Sequence, residues 1–235
     1  MARLKRLFIA GVPQHLIVRG NDRQDIFLED ADRFYFLGCL EQAARSHSLA
    51  IHAYVLMSNH VHLLATGADA SSIPKTLQSV GRRYVAHFNG LYGRTGTLWE
   101  GRYKAALVQT GDHLVNCQRY IELNPVRAGM VNDPAAHFWS SHRCFALGAT
   151  DPLITPHPHL LSLGKPGEQF GRAYRSLFHS QLDPQVVDAI RDATNHGWGL
   201  GDEGFLEWAG ALCGRRAHRI RRPRRTGRTW QAAPR

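Results

Sequence analysis

Hydrophobic and polar positions alternate in some stretches of the chain and recur at helical spacing in others. Four stretches are predicted to be β-strands: residues 14–19, which alternate, and the apolar, β-rich runs 50–57, 60–66 and 105–109. Three stretches repeat their apolar positions every three or four residues, as helices do: residues 30–48, 74–92 and a run that begins near Asp112. The order β-α-β-β-α-β-α predicts a ferredoxin-like α+β fold. We expect a four-stranded antiparallel sheet with helices on one face.

The chain changes character after about residue 167. Three further amphipathic helices are predicted, at residues 169–182, 184–196 and 205–212, and they carry no recognisable chemistry. We therefore divide the chain into a catalytic domain (1–147), a helical appendage (168–213) and a tail (214–235). The link at 148–167 is rich in Pro and Gly, so its His157-Pro158-His159 is expected to be a solvated loop.

Positive charge is concentrated at the end of the chain. The formal net charge is +10, and residues 214–235 contain nine arginines and no acidic residue, so the rest is nearly neutral. A basic run of this kind predicts a disordered tail. With DNA as the partner, it would act as an electrostatic anchor on phosphates, independent of sequence.

Cysteine usage and hydropathy indicate a cytoplasmic protein without a membrane span. The four cysteines are scattered and form no Cys-x-x-Cys pair, which argues against a zinc ribbon or a disulfide framework. The apolar stretch near the N-terminus is short and is interrupted by Pro13, so neither a signal peptide nor a transmembrane helix is predicted.

A His-x-His motif opens the third predicted strand. His60 and His62 lie two residues apart and therefore point to the same face, with Val61 on the other. Two imidazoles about 7 Å apart along a strand can bind one divalent ion. The alternative is a pair of partly buried histidines beside a turn.

A tyrosine and an asparagine share one face at the end of the next helix. Tyr120 and Asn124 are four residues apart, and Pro125 disfavours helical geometry at the residue before it, so the helix ends there. A phenol and an amide oxygen placed together suit a nucleophile and a third metal ligand. Alternatively, the tyrosine simply packs its ring, and the pattern leaves both readings open.

Several motifs along the first 145 residues carry a family resemblance. They are His60-Val61-His62, Tyr120 with Asn124-Pro125-Val126-Arg127-Ala128-Gly129, Arg19-Gly20-Asn21-Asp22-Arg23, Leu98-Trp99-Glu100-Gly101-Arg102-Tyr103-Lys104 and Phe138-Trp139-Ser140-Ser141. Taken in their order along the chain, these motifs resemble the REP-associated tyrosine transposases, which are single-tyrosine members of the HUH single-strand endonucleases. The resemblance implies the same ferredoxin-like fold.

The resemblance also implies a chemistry. Tyr120 would be the nucleophile, and His60, His62 and Asn124 would hold Mg²⁺ or Mn²⁺. The substrate would be single-stranded hairpin DNA such as a REP-like palindrome, cleaved and rejoined through a 5′-phosphotyrosine link in the nucleoid of the cytoplasm. The protein would act as a monomer or as a homodimer, because some relatives exchange the tyrosine helix between protomers.

Basic and aromatic side chains around these motifs predict DNA contacts. Aromatic rings stack on bases and cations pair with phosphates, so the combination suits a single strand. Tyr84 and Phe88 lie on a helical apolar stripe and are expected in the core instead. The predicted DNA-binding residues are Arg19, Asn21, Arg23, Arg82, Arg83, Arg94, Trp99, Arg102, Tyr103, Lys104 and Arg127.

Two other functions are compatible with parts of the pattern. A His-x-His hydrolase that activates water often has an Asp two residues after the second histidine, but Leu64 stands there. A non-catalytic nucleic-acid-binding protein on a ferredoxin-like sheet usually exposes aromatics on its central strands, and the predicted strands offer only Tyr54.

Overall fold

The computed structural model describes residues 5–164 and 167–219. Its strands are β1 (Gln14–Arg19), β2 (Leu49–Leu56), β3 (His60–Gly67), β4 (Lys104–Val108) and β5 (Gly199–Leu200). They form one sheet in the order β2-β3-β1-β4-β5. The first four strands pair antiparallel, so the predicted α+β fold class is confirmed.

Helices on both sides of the sheet supply most of the remaining structure. They are α1 (Asp30–Ser46), α2 (Ser72–Leu91), α3 (Asp112–Glu122), α4 (Asn124–Arg127), α5 (His142–Leu147), α6 (Pro158–Leu161), α7 (Glu168–Ser176), α8 (Pro184–His196) and α9 (Glu203–Cys213). Short 3-10 turns lie at Asn21–Arg23 and Pro134–Ala136. Within the described ranges, no helix has the length and apolar character that a bilayer crossing needs.

Each face of the sheet has its own apolar core, which corrects the expectation of helices on one face. Leu16 and Leu63 point to the face that α1 and α2 cover, where Tyr84 and Phe88 are buried as predicted. Leu64 points to the opposite face, which α3 and α8 cover. The helical pattern indicated which segments are helices, but it contains no information on the side of the sheet against which each one packs.

The fifth strand comes from the predicted appendage and was not expected. Leu107 and Val108 of β4 pair in parallel with Gly199 and Leu200 of β5. A strand of two residues is too short to produce an alternating pattern, so the sequence contains no signal for it. The other strands begin and end within one or two residues of the predicted limits.

The link between the predicted domains packs on the outer strand β2. Ile154 forms a parallel bridge with Ile51, and the Tyr54 hydroxyl donates to Asp151 at 2.8 Å. His157 caps α6 by accepting a hydrogen bond from the backbone N–H of His159. The prediction of a solvated loop at His157 was therefore wrong, because the histidine acts as an N-cap. Helix α6 has only four residues, so no long apolar run follows the cap to mark it in the sequence.

The predicted basic tail begins directly after α9. Gly214 ends this helix in a left-handed conformation with φ +62°, which glycine adopts without strain. Arg215 then folds back, donates to the carbonyl of Gly197 and lies 5.6 Å from the Trp198 ring centre. The division into domains stays a prediction, and residues 220–235 of the tail lie outside the described part.

A fully buried carboxylate joins helices α3, α5 and α7. Glu122, the last residue of α3, is 0% exposed. Its Oε1 accepts a hydrogen bond from Ser141 at 2.7 Å, and its Oε2 accepts from His142 Nδ1 at 2.8 Å and from the Tyr174 hydroxyl at 2.7 Å. A buried charge is tolerated only when it is paired and hydrogen-bonded, and here the partners come from α5, α7 and the residue before α5.

Replacing this carboxylate by an amide should destabilise the fold measurably. In Glu122→Gln the new NH₂ group cannot accept hydrogen bonds, so at least one buried donor loses its partner. We expect the free energy of unfolding to fall by about 1–3 kcal/mol, measured by urea denaturation. Glu168→Gln, at a side chain that is 86% exposed, is the matched control and should stay within about 0.5 kcal/mol of the wild type. Equal stability of the two variants would contradict a structural role of Glu122.

Candidate active site

The two histidines of the His-x-His motif lie at the start of β3 on the face covered by α3 and α8. In the β1–β3 register, His62 is opposite Ile17 and His60 is opposite Arg19. Directly paired residues of antiparallel strands share a face, so these four side chains lie together. The two imidazole centres are 4.9 Å apart and their planes are inclined by 73°.

Helix α3 places Tyr120 against this pair. The Tyr120 ring centre is 5.8 Å from that of His62 and 5.7 Å from that of His15 on β1. Leu114, Cys117 and Ile121 of the same helix are buried in the core beneath, which fixes the orientation of α3. Within one chain, the tyrosine therefore lies against His62, which in turn contacts His60.

Asn124 lies at the break between α3 and α4, close to Tyr120 but turned toward the helix. Its Nδ2 donates to the carbonyls of Tyr120 at 3.0 Å and Ile121 at 3.3 Å. Pro125 has no N–H, so the Ile121 carbonyl lacks its usual helical donor and the amide of Asn124 supplies one. The Oδ1 of Asn124 accepts from Arg127 Nη2 at 2.9 Å and keeps a second lone pair.

Arg127 covers the ring of Tyr120. Its guanidinium carbon lies 4.1 Å from the ring centre, and its Nη1 donates to the Tyr120 carbonyl at 3.1 Å. Burial lowers the pKa of Arg127 from its ordinary value. A guanidinium stacked on the ring and bonded to the backbone of the same residue restricts the orientation of the phenol.

The histidines of the site are neutral over the physiological pH range. Burial, reinforced by the charge of Arg19, lowers the pKa of His60 to about 4. Burial and the neighbouring imidazoles His15 and His60 hold the pKa of His62 well below its usual value. Only the neutral imidazole has a lone pair for a metal ion, so both histidines are in the form that ligation requires.

Hydrogen bonds leave the Nε2 atom of each histidine open. The Nδ1 of His60 lies 2.6 Å from Asn59 Oδ1, and Asn59 Nδ2 donates to the carbonyl of Arg23 at 3.0 Å, which fixes the amide orientation. His60 Nδ1 must therefore carry the proton, and Nε2 has the lone pair. The Nδ1 of His62 bonds to His15 Nε2 at 2.8 Å.

This donor set fits a divalent ion with few protein ligands. Two imidazole nitrogens and one amide oxygen can bind an ion and leave positions for phosphate oxygens. Among residues 5–164 and 167–219, no group of three or more His, Cys, Asp or Glu could hold a metal. Among the described residues, any ion at this site would therefore have fewer than three ligands of these four types, and Asn124 stays a predicted third ligand.

A basic cleft of about 360 Å³ lies beside the histidines. Its walls include Arg19, Arg102 and Lys104, with residues 194–197 of the α8 end on the other side. The Nζ of Lys104 donates to Asn195 Oδ1 at 3.0 Å, which joins the two walls. We call this the basic cleft. It lies close to His60, because Arg19 in its wall is paired with His60 in the sheet.

A second, largely apolar cleft of about 370 Å³ lies behind the wall formed by Gly101, Arg102 and Tyr103. Trp99 lines it and stacks on Tyr84 with ring centres 6.0 Å apart. An apolar cleft with an aromatic wall suits a nucleobase, whereas the basic cleft suits a phosphate backbone.

The loop after β1 brings further predicted DNA-binding residues to the same end of the sheet. Gly20 pairs with Trp99, and a Cβ on Gly20 would lie 2.3 Å from the Gln24 carbonyl oxygen, so only glycine fits. Asn21 donates to Asp22, and Arg23 is exposed. These residues lie at the edge of the site and remain candidates for DNA contact.

The other predicted DNA-binding residues lie farther from the histidines. Arg82 and Arg83 are exposed on α2, which covers the opposite face of the sheet. Arg94 lies 5.6 Å from the Phe88 ring centre in the loop after α2. A single strand would have to pass around the sheet edge to contact both α2 and the basic cleft.

Two residues of the site were missed by the sequence analysis. His15 stacks on His62 with ring centres 5.0 Å apart, and its Nδ1 bonds to Thr194 Oγ1 of α8 at 2.7 Å. The alternation of β1 places His15 on the same face as Arg19, so the pairing with β3 could have revealed it. Thr194 is one apolar-face residue of an ordinary amphipathic helix, and nothing in its spacing indicates a role.

Comparisons with known proteins relate the first half of the chain to one family. The family model of IS200-like transposases matches residues 10–124. The structure of the REP-associated tyrosine transposase bound to a REP hairpin is similar, with 21% identity, a TM-score of 0.51 and coverage of 67% of this chain and 93% of that chain. At this identity the likeness shows the fold.

Other comparisons add little. A structure from Deinococcus radiodurans R1 aligns with 17% identity over 55% of this chain and 92% of that chain, with a TM-score of 0.36. No curated protein sequence matches the chain.

Removing charge from the basic cleft should weaken the salt dependence of DNA binding. We expect the double variant Arg102→Gln, Lys104→Gln to flatten the log-log slope of affinity against salt. The expected change is about 0.7 for each phosphate of the single strand that no longer pairs with a cation. Binding curves at several salt concentrations measure it.

The controls for this experiment separate the cleft from other basic surfaces. Arg45→Gln with Arg172→Gln removes two charges at exposed positions and should leave the slope unchanged. Arg82→Gln with Arg83→Gln tests the predicted contacts on α2. If the control flattens the slope as much as the cleft variant does, binding is diffuse and the cleft is not the DNA track.

Proposed function

We propose that this protein, whose residues 10–124 match the family model of IS200-like transposases, cleaves and rejoins single-stranded DNA through a covalent 5′-phosphotyrosine at Tyr120. The contact of Tyr120 with His62, which itself lies against His60, supports this function above all. The ring of Tyr120 is 5.8 Å from that of His62, although about 60 residues separate them in sequence. A nucleophile and two neutral metal ligands on one sheet face are the parts that metal-assisted phosphoryl transfer needs.

His60 and His62 would hold a divalent ion, Mg²⁺ or Mn²⁺, through their Nε2 atoms. When bound, the ion would neutralise charge on the oxygens of the scissile phosphate. Asn124 would contribute its Oδ1, which would then be shared with Arg127, or would be released from that arginine. The low pKa of His60, about 4, means that no proton competes for this ligand near neutral pH.

Tyr120 would attack the phosphorus in line with the leaving oxygen. The bond from the phenol oxygen to phosphorus forms as the bond from phosphorus to the 3′ oxygen breaks, and the phenol proton ends on the released 3′-hydroxyl. Arg127 holds the ring through its contact at 4.1 Å, so the phenol is oriented before the strand arrives. Attack by another 3′-hydroxyl reverses the step and joins a new strand.

The substrate we propose is single-stranded DNA that carries a hairpin. A REP hairpin is bound in the similar solved structure, and a palindromic hairpin of that kind is the candidate here. The basic cleft would hold the backbone of the strand that runs to Tyr120, with Arg19, Arg102 and Lys104 on its phosphates. The apolar cleft lined by Trp99 would accept a base.

Removal of one oxygen tests the nucleophile. Tyr120→Phe should abolish the covalent protein–DNA adduct on a denaturing gel while keeping the affinity for hairpin DNA, because only the hydroxyl is lost. Tyr103→Phe, in the basic cleft, is the control and should still form the adduct. An adduct formed by Tyr120→Phe would assign the nucleophile to another residue, with Tyr103 and Tyr92 as the next candidates.

Removal of either imidazole tests the metal site. We expect His60→Ala and His62→Ala to slow cleavage by more than about 100-fold. Loss of a residue that only hydrogen-bonds to a metal ligand usually lowers activity by about 10–100-fold, and loss of the ligand itself should lower it further. Binding of hairpin DNA should change little, and excess chelator should reproduce the effect in the wild type. His159→Ala, at an exposed position, serves as the control. Undiminished cleavage in chelator would exclude the metal mechanism and favour one that needs no ion.

A further inference from the structure

We propose that Thr194, on α8 outside the family-matched region, is a positioning residue that selects the metal-binding tautomer of His62. This inference rests on the proposed function of His62 as a ligand. The residues form one continuous chain of hydrogen bonds, from Thr194 Oγ1 to His15 Nδ1 at 2.7 Å and from His15 Nε2 to His62 Nδ1 at 2.8 Å. All three side chains are at least 98% buried, so water does not compete for these bonds.

The direction of the chain follows from its far end. Thr194 also donates its only hydroxyl proton to the carbonyl of Ile190 at 2.9 Å, and a carbonyl can only accept. Toward His15 the hydroxyl oxygen must therefore be an acceptor, so Nδ1 of His15 carries the proton. A neutral imidazole has one N–H, which leaves Nε2 of His15 as an acceptor.

The same reasoning continues to the ligand. Because His15 Nε2 accepts, His62 must donate from its Nδ1, and its Nε2 keeps the lone pair for a metal ion. His60 obtains this tautomer from its neighbour Asn59. His62 instead depends on a residue in the predicted helical appendage, which gives that region a part in the chemistry.

Loss of the Thr194 hydroxyl should reverse the direction of the hydrogen bond between His15 and His62. In Thr194→Val the buried Nδ1–H of His15 has no acceptor, which favours the other tautomer, with the proton on Nε2. That proton would be donated to His62 Nδ1, and His62 would then carry its own proton on Nε2, where a metal ion should bind. Thr194→Ser keeps the hydroxyl and should keep the wild-type arrangement.

The tautomers can be read directly in the metal-free protein. Long-range ¹H–¹⁵N spectra of protein labelled at histidine distinguish Nδ1–H from Nε2–H, and we expect His62 to carry Nδ1–H in the wild type and in Thr194→Ser. In Thr194→Val we expect a substantial Nε2–H population. Thr76→Val removes a buried hydroxyl on the other face of the sheet and should leave the spectrum of His62 unchanged.

Metal affinity provides the second measurement. Mn²⁺ titration should show affinity about 10–100-fold weaker in Thr194→Val, with Thr194→Ser close to the wild type. An Nε2–H tautomer of His62 in the wild type would overturn the proposal, whether or not the variants fold. So would unchanged tautomer and Mn²⁺ affinity in Thr194→Val. The spectra require neither DNA nor cleavage. If the protein proved to have no nuclease activity, the proposed function would be refuted, and the spectra would still decide whether Thr194 sets the tautomer of His62.

Discussion

The position of the candidate nucleophile depends on a buried charge. Glu122 is fully buried two residues after Tyr120 on α3. Its carboxylate accepts hydrogen bonds from Ser141, His142 and Tyr174. A carboxylate in such surroundings is acceptable only with its donors in place, so α3 is fixed relative to segments that follow it by up to about 50 residues. The register of the tyrosine against the sheet is therefore set by polar contacts as well as by apolar packing.

The family-matched region contains the candidate reacting groups but not the whole of their surroundings. Val187, Ile190 and Ala193 of α8 are buried in the same apolar cluster as Tyr120, and β5 extends the sheet beside β4. The end of α8 also forms one wall of the basic cleft. Packing, sheet pairing and the cleft thus all join the segment after residue 167 to the face that carries the histidines, although its sequence contains no catalytic motif.

The sequence predicted what is local and missed what is distant. Alternation located β1, short apolar runs located β2 to β4, and two-residue spacing placed His60 and His62 on one face, because all of these signals come from neighbouring residues. The side of the sheet that each helix covers and the fifth strand were not predictable from periodicity. The bond between His15 and Thr194 joins residues 179 positions apart, and a buried threonine on an amphipathic helix resembles any other. Glu122 was overlooked because a charged residue on a helix usually faces solvent.

The distance along the chain between Tyr120 and Thr194 also imposes an order in time on synthesis. Ribosomes extend a chain at a limited rate, so Thr194 emerges roughly 4 to 15 s after Tyr120. During that interval the nascent chain has the candidate nucleophile and both histidines, but neither helix α8 nor the hydroxyl that we propose to orient His62. A ribosome-bound chain that ends before Thr194 would therefore lack the hydrogen bond from this threonine to His15, which the proposed tautomer of His62 requires.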